Sequence, residues 1–270
     1  MLAETTQDAG VRVLPRTLVT AADTVLETRG LTKNFRGFTA VCGVDLRVRR
    51  GSIHALIGPN GAGKSTVFNL LTRFLPATSG TIHFEGREIT RADPAEVAQR
   101  GMVRSFQISS IFPHLSVHEN VRLALQRPLG MTYRFWQSAR CLNSLNCRVD
   151  ELIQAVGLEA FRQVRASDLS YGRKRALEFA TTMALEPTVM LLDEPMAGLG
   201  VEDIARITRL IRSAAAGRTV LMVEHNLKVV ADLSDTVTVL ARGVVLAEGT
   251  YETVAANAEV RSAYMGSSDD

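Results

Sequence analysis

Gly58-Pro59-Asn60-Gly61-Ala62-Gly63-Lys64-Ser65-Thr66 satisfies the pattern G-x-x-x-x-G-K-[ST] at every position. Glycines at 58, 61 and 63 permit a tight turn in which successive backbone N–H groups face phosphate oxygens, and a helix expected to start near Lys64 turns its positive dipole end towards them. Lys64 is then expected to reach the β and γ phosphates of a nucleoside triphosphate, and the Ser65 hydroxyl to bind Mg²⁺. The flanks suit this reading: residues 53–57, Ile-His-Ala-Leu-Ile, form a short buried strand pattern, and residues 67–71 an apolar helix face. A glycine-rich turn without a ligand is the competing interpretation, and that context disfavours it.

Outward from this loop, the chain of 270 residues is 46% hydrophobic, enough to bury a substantial core in one large or two modest domains. A net charge of +3 demands neither nucleic acid nor an anionic membrane as partner. The three cysteines, at 42, 141 and 147, are too few and too scattered for a disulfide framework; they suit a reducing compartment and are taken as structural. No run of about 18 apolar residues occurs, so any membrane role is expected to come through a partner. Residues 1–22 lack the basic start, apolar centre and small-residue cleavage site of a secretory signal, and 1–24 are expected to form a flexible extension.

Residues 25–31 alternate as an edge strand would, Phe35 is expected in a loop, and residues 41–48 alternate again before a turn at Arg50-Gly51. Residues 81–85 predict another strand. From Pro94 to about Leu185 the spacing becomes helical, as an inserted helical segment would be, and Ser170 is a candidate N-cap for a helix that ends at Glu186-Pro187. Residues 188–195, Thr-Val-Met-Leu-Leu-Asp-Glu-Pro, are too short for a helix and predict a parallel strand buried on both faces. A helix at about 201–215, a second such strand at 219–223, a hairpin around Arg242-Gly243 and a C-terminal amphipathic helix complete an alternating α/β pattern.

Asp193 and Glu194 close the first of these strands, and strand alternation would let one serve a metal while the other faces a water. His225 closes the second, which places it at the same carboxyl edge of the sheet, where ligands bind in open α/β folds. His54, His83, His114 and His118 have no such placement. His114 and His118 are spaced as a helical metal pair, but without a third ligand they are expected to be solvated.

These motifs together make the chain resemble an ABC-transporter nucleotide-binding domain from about residue 25 to residue 266. Phe35 matches the aromatic A-loop, residues 58–66 Walker A, Gln107 in Arg104-Ser105-Phe106-Gln107 the Q-loop, Leu169-Ser170-Tyr171-Gly172 the signature, Asp193-Glu194 the Walker B pair and His225 the switch histidine. The resemblance implies an ABC ATPase fold of the P-loop NTPase class, in which a mixed-sheet α/β core carries an antiparallel β-subdomain and an inserted helical subdomain at about 94–186, with residues 267–270 left as a tail. It implies ATP and Mg²⁺ as cofactors. Phe35 and Val41 belong to the nucleotide-binding set, with Phe35 on the adenine, and so do Gly58, Pro59, Asn60, Gly61, Ala62, Gly63, Lys64, Ser65 and Thr66. Ser65, Gln107 and Asp193 serve the metal; Glu194 is the catalytic base; His225 contacts the γ phosphate; Gln107 and Lys64 complete the catalytic set.

The resemblance further implies a head-to-tail dimer, with Ser170, Tyr171 and Gly172 of one chain closing on the ATP of another. Residues 101–120 and the ending that includes Gly249, Asn257, Glu259 and Tyr264 are similar to those of branched-chain amino-acid importers, in particular the larger of their two ATPase subunits. A heterodimer with a shorter paralogue is therefore expected in preference to a homodimer, on the cytoplasmic face of the inner membrane, with two transmembrane permease subunits, a periplasmic binding protein and no nucleic acid. An exporter ATPase of the lipopolysaccharide type and a soluble ABC ATPase acting on a macromolecular assembly are the alternatives. Tyr171, Arg173 and Gly200 depart from the commoner family residues, and the aromatic stretch at 127–147 is expected to pack within the subdomain, with a coupling surface for membrane subunits as the alternative.

Overall fold

The protein is described here by a computed structural model covering residues 23–105, 111–127 and 145–265. In chain order the elements are β1 (Thr24–Phe35), β2 (Phe38–Arg49), β3 (Ile53–Ile57), α1 (Lys64–Leu71), β4 (Ser79–Phe84), β5 (Arg87–Glu88), α2 (Pro94–Gln99), β6 (Met102–Ser105), α3 (Val117–Leu125), α4 (Asn146–Ala155) and α5 (Tyr171–Ala184). They continue with β7 (Val189–Asp193), α6 (Val201–Ala215), β8 (Thr219–Val223), α7 (Leu227–Leu233), β9 (Thr236–Ala241), β10 (Val244–Gly249), α8 (Tyr251–Ala256) and α9 (Ala258–Met265).

Two sheets organise these elements. One is antiparallel, in the order β2-β1-β4-β5; the other runs β10-β9-β3-β8-β7-β6, parallel except for the antiparallel edge strand β10. Every residue of β3, β7 and β8 is buried, which is why these segments read as unbroken apolar runs. Their side chains alternate between two cores. Ile53, Ala55, Ile57, Met190, Leu192, Val220 and Met222 join the core shared with α3 to α6. Leu56, Val189, Leu191, Leu221 and Val223 join the one filled by α1 and the antiparallel sheet. The sheet is thus a partition with an apolar layer on each side, and its polar groups gather at the strand ends.

Several expectations are corrected. β1 lies inside its sheet, paired with both β2 and β4, because alternation reports which face is buried and not how many neighbours a strand has. Phe35 closes β1 opposite Phe38 instead of lying in a loop. The helical run expected from residue 94 is interrupted by β6, a short strand whose Met102-Val-Arg-Ser sequence has no strong signal of its own and is held by pairing with β7. The single C-terminal helix is two, separated by Asn257, whose Oδ1 accepts from the Glu259 and Val260 amides. α7 was not expected, although Asn226 caps it visibly, accepting from the Lys228 and Val229 amides.

His54 is fully enclosed on β3, where its Nε2 lies 2.7 Å from the Thr238 hydroxyl, which in turn donates to Glu248. The hydroxyl hydrogen is committed to the carboxylate, so the imidazole is the donor in this pair. Burial pushes the His54 pKa down to about 4, with the Arg49 charge acting in the same direction. Between about pH 6.5 and 4 the unfolded chain takes up a proton here that the folded chain refuses, so this contribution is complete above pH 6.5 and is lost as the pH falls. Denaturant unfolding at pH 7 and pH 4.5 is expected to lose about 2–3 kcal/mol more in the parent than in His54→Gln; equal losses would remove His54 from the acid response.

Candidate active site

The loop after β3 is shaped by glycines that nothing larger could replace. Gly58 has φ +153, and a Cβ there would collide with the Leu240 carbonyl oxygen; at Gly63, with φ +100, it would lie 2.6 Å from the Ala40 carbonyl oxygen. Gly63 occupies the N-cap of α1 without a side-chain cap, and no acidic residue stands in the first turn, so the leading amides of α1 face outward with their dipole uncompensated. Lys64 is buried and folds back over the loop, its Nζ donating to the Gly58 carbonyl at 2.8 Å and the Pro59 carbonyl at 2.9 Å. Burial lowers its pKa, while the charges of Glu194 and Asp193 act against that shift. Ala62 is buried, Asn60, Gly61 and Ser65 are exposed, and Thr66 is half-buried. The loop is therefore a concave set of donors around one cation, suited to a polyphosphate.

Parallel pairing brings the other charged groups to the same edge. β7 ends at Asp193, which is buried; its Oδ2 accepts from Arg104 at 2.5 Å, and its Oδ1 is buried without a hydrogen-bond partner. Glu194 follows with φ +47 and donates its amide to the Val223 carbonyl. Sequence reasoning separated the two acids by strand alternation. The structure instead turns Glu194 out of the strand through a left-handed backbone, a conformation that is strained for a non-glycine residue and is found disproportionately at functional sites. The turn delivers Glu194 Oε1 to 2.8 Å from His225 Nε2, at the end of the neighbouring strand β8.

Glu224 was missed. It is buried between strand and histidine, its Oε1 accepting from the Met196 amide and its Oε2 from the amides of His225 and Asn226. This one carboxylate ties the loop after β7 to the loop after β8, and so fixes the backbone on which both Glu194 and His225 stand. Its sequence signal was plain: an acid ending an apolar run.

Among the remaining expected residues, Phe35 is half-exposed with the Lys33 ammonium 5.4 Å from its ring centroid. Val41 is fully buried beside the loop, its Cγ2 3.4 Å from where a Cβ on Gly63 would stand. Gln107 lies outside the described residues, as do Cys141 and the aromatic residues Tyr133, Phe135 and Trp136. Ser170 occupies the N-cap position of α5, but its exposed side chain makes no capping bond. Tyr171 is half-exposed and reaches sideways: its hydroxyl donates to the Ala197 carbonyl at 3.2 Å and accepts from Arg175, whose guanidinium also pairs with Glu178. Gly172 sits so close to α6 that a Cβ would overlap the Asp203 carboxylate. Arg173 stacks 3.9 Å from the Phe161 ring centroid, and Gly200 is the N-cap of α6.

Two expectations fail outside the site. His118 is buried, not solvated, and its pKa is lowered by that burial and by Arg162 and Arg122. Cys42 and Cys147 are exposed free thiols, which does not suit a packing role.

Among the described residues no three of His, Cys, Asp and Glu converge into a metal cage. The residues present nevertheless fit Mg²⁺, which favours a few hard oxygen donors completed by water and substrate phosphates. The partnerless Oδ1 of Asp193 and the exposed Ser65 hydroxyl are such donors.

Comparison with known proteins agrees with this geometry. The family described as ABC transporter matches residues 41–197, and that described as branched-chain amino acid ATP-binding cassette transporter matches residues 244–270. The high-affinity branched-chain amino acid transport ATP-binding protein BraF of Pseudomonas aeruginosa is 36% identical over 252 residues, covering 90% of this chain and 98% of its own. Among solved structures, the ADP conformation of an ATP-binding cassette of an ABC transporter superposes with a TM-score of 0.77 at 28% identity, over 90% of this chain and 99% of that one. A bacterial ABC transporter cassette solved as a dimer gives 0.70 at 26% identity, over 84% and 98%. The chain belongs to the ABC transporter ATP-binding family and is one of its ATP-hydrolysing cassettes.

Proposed function

We propose that this cassette energises the uptake of branched-chain amino acids, or of a closely related small solute, with its nucleotide held between the Gly58–Thr66 loop and the ends of β7 and β8. The observation that carries the site is the convergence of Lys64, Asp193, Glu194 and His225 on one sheet edge. What carries the substrate class is the match of residues 244–270, beside the similarity to BraF over nearly the whole chain.

In this reading the α1 amides and Lys64 bind the β and γ phosphates, and Phe35 stacks on the adenine. Ser65 and Asp193 hold Mg²⁺, with Gln107 as a further ligand; the ion supplies charge neutralisation on the phosphate oxygens. Glu194 orients a water for in-line attack and takes its proton. His225, held 2.8 Å from Glu194, keeps that carboxylate aimed and meets the γ phosphate. Ser170 and the amides that open α5 face a second nucleotide-binding chain, a shorter paralogue, so that ATP closes the pair and hydrolysis releases it. Support for pairing comes from the uncommitted Ser170 hydroxyl and from the related cassette solved as a dimer.

No helix among the described residues is long and apolar enough to cross a membrane. Coupling therefore falls to two permease subunits, with the cassette on the cytoplasmic face of the inner membrane and a periplasmic binding protein choosing the solute. A groove of about 980 Å³ between α2 and β6 on one side and α3 and α5 on the other suits a permease helix: Phe74 and Phe112 are exposed there, and Arg104 on its floor leads directly to Asp193. No role for nucleic acid enters this reading.

Lys64→Ala is expected to lose ATP binding, whereas Glu194→Gln keeps binding and loses roughly 10²–10⁴-fold in steady turnover; a glutamine variant that turns over normally would remove Glu194 from the base role. Phe35→Ala should weaken ATP binding by roughly 1–3 kcal/mol by titration calorimetry, the value of an aromatic platform under a base. Reconstituted in proteoliposomes with its membrane subunits, the cassette should hydrolyse ATP faster when a binding protein loaded with leucine, isoleucine or valine is present. Indifference to all three would sink the substrate assignment.

A further inference from the structure

The Arg104 guanidinium is built into the site more firmly than a surface cation would be. It is about nine-tenths buried on β6, donates through Nη2 to Asp193 Oδ2 and through Nη1 to Asn69 Oδ1 at 2.6 Å, and lies 5.7 Å from the Phe68 ring centroid. Asn69 and Phe68 stand on α1, the helix that opens at Lys64, so one side chain clamps β6, β7 and α1 together. Asp193 is still more enclosed, and a buried carboxylate is tolerated only when paired. Arg104 takes one of its oxygens and leaves Oδ1 without a hydrogen-bond partner.

We propose that Arg104 is a positioning residue that serves as the counter-ion of Asp193 while no metal is bound, holding the carboxylate turned so that Oδ1 alone is presented to a divalent cation. The guanidinium satisfies the charge that would otherwise attract a free cation, so the divalent ion is admitted with the nucleotide's phosphates and not before them. This inference rests on the reading of Asp193 as the metal-side carboxylate.

The test is a thermal cycle without nucleotide, in EDTA, on the parent, R104M, D193N and the double variant, with R104K as the charge-conserving control. R104M is expected to lower Tm by roughly 6–15 °C, because it strands a buried charge. Adding D193N should recover most of that loss, and R104K should retain most of the parent value. With the EDTA removed, millimolar Mn²⁺ alone should raise the Tm of R104M and leave the parent and the double variant unmoved. Additive losses in the double variant overturn the inference, as does an equal response to Mn²⁺ in all four, or none in R104M; a merely packing role for Arg104 would give that additivity. Failure of the underlying reading is separable, since it would appear as D193N binding Mn²⁺ with ATP as tightly as the parent.

Discussion

A parallel sheet covered on both faces confines its polar chemistry to the ends of its strands. In β3, β7 and β8 every side chain is enclosed, and the two titratable ones among them each need a dedicated partner, Thr238 for His54 and Arg104 for Asp193. The first positions where charge is affordable are those where the backbone leaves the sheet, and there the chain puts Gly58 to Lys64, Asp193 with Glu194, and Glu224 with His225. Adjacency in the sheet then does the assembly: β3 lies beside β8 and β8 beside β7, so three stretches far apart in sequence emerge side by side. The convergence of these groups is a consequence of strand order.

Strand order alone brings groups near one another without aiming them, and aiming is done by a small number of buried polar contacts. Glu224 spends its carboxylate on three amides from two loops, at 2.9, 2.9 and 3.1 Å, so that one buried side chain satisfies three backbone donors at once. Glu194 uses a left-handed backbone to leave the line of β7. Gly58 and Gly63 let the loop pass against the carbonyls of Leu240 and Ala40, so β2 and β9 become its outer wall. Stability and function are coupled at these points, since the same atoms that close the core boundary also set the geometry at which the acids and the lysine meet.

Legibility in the sequence followed the same division. Burial on both faces writes itself as a continuous apolar run, so β7 and β8 could be read directly, and the amphipathic stripe of α6 gave its limits at 201–215. What could not be read depended on partners distant in the chain. β6 exists because β7 offers it a ladder; β1 is interior because β4 arrives on its far side. The left-handed turn at Glu194 carries no residue that announces it, and the contact from Arg104 to Asp193 spans 89 positions. Asn226 and Asn257, by contrast, are capping residues visible in the sequence: the first starts α7, which was not expected, and the second divides the expected C-terminal helix in two.

The departure at Tyr171 shows how a local substitution can be absorbed by the fold. A ring at this position would obstruct the approach of another chain if it stood upright at the start of α5. Instead it lies along the loop after β7, its hydroxyl on the Ala197 carbonyl and its edge 3.3 Å from where a Cβ on Gly198 would be. Arg175 holds it there from one turn further along, itself anchored by Glu178, so the ring is fixed by a relay that begins in the body of the helix. The start of α5 is thereby fastened to the segment leading from Glu194 to α6, and Gly172, pressed against Asp203, closes the remaining distance. The loop after β7 and the start of α5 are thus joined by one hydrogen bond from Tyr171 and by the close approach of Gly172 to Asp203.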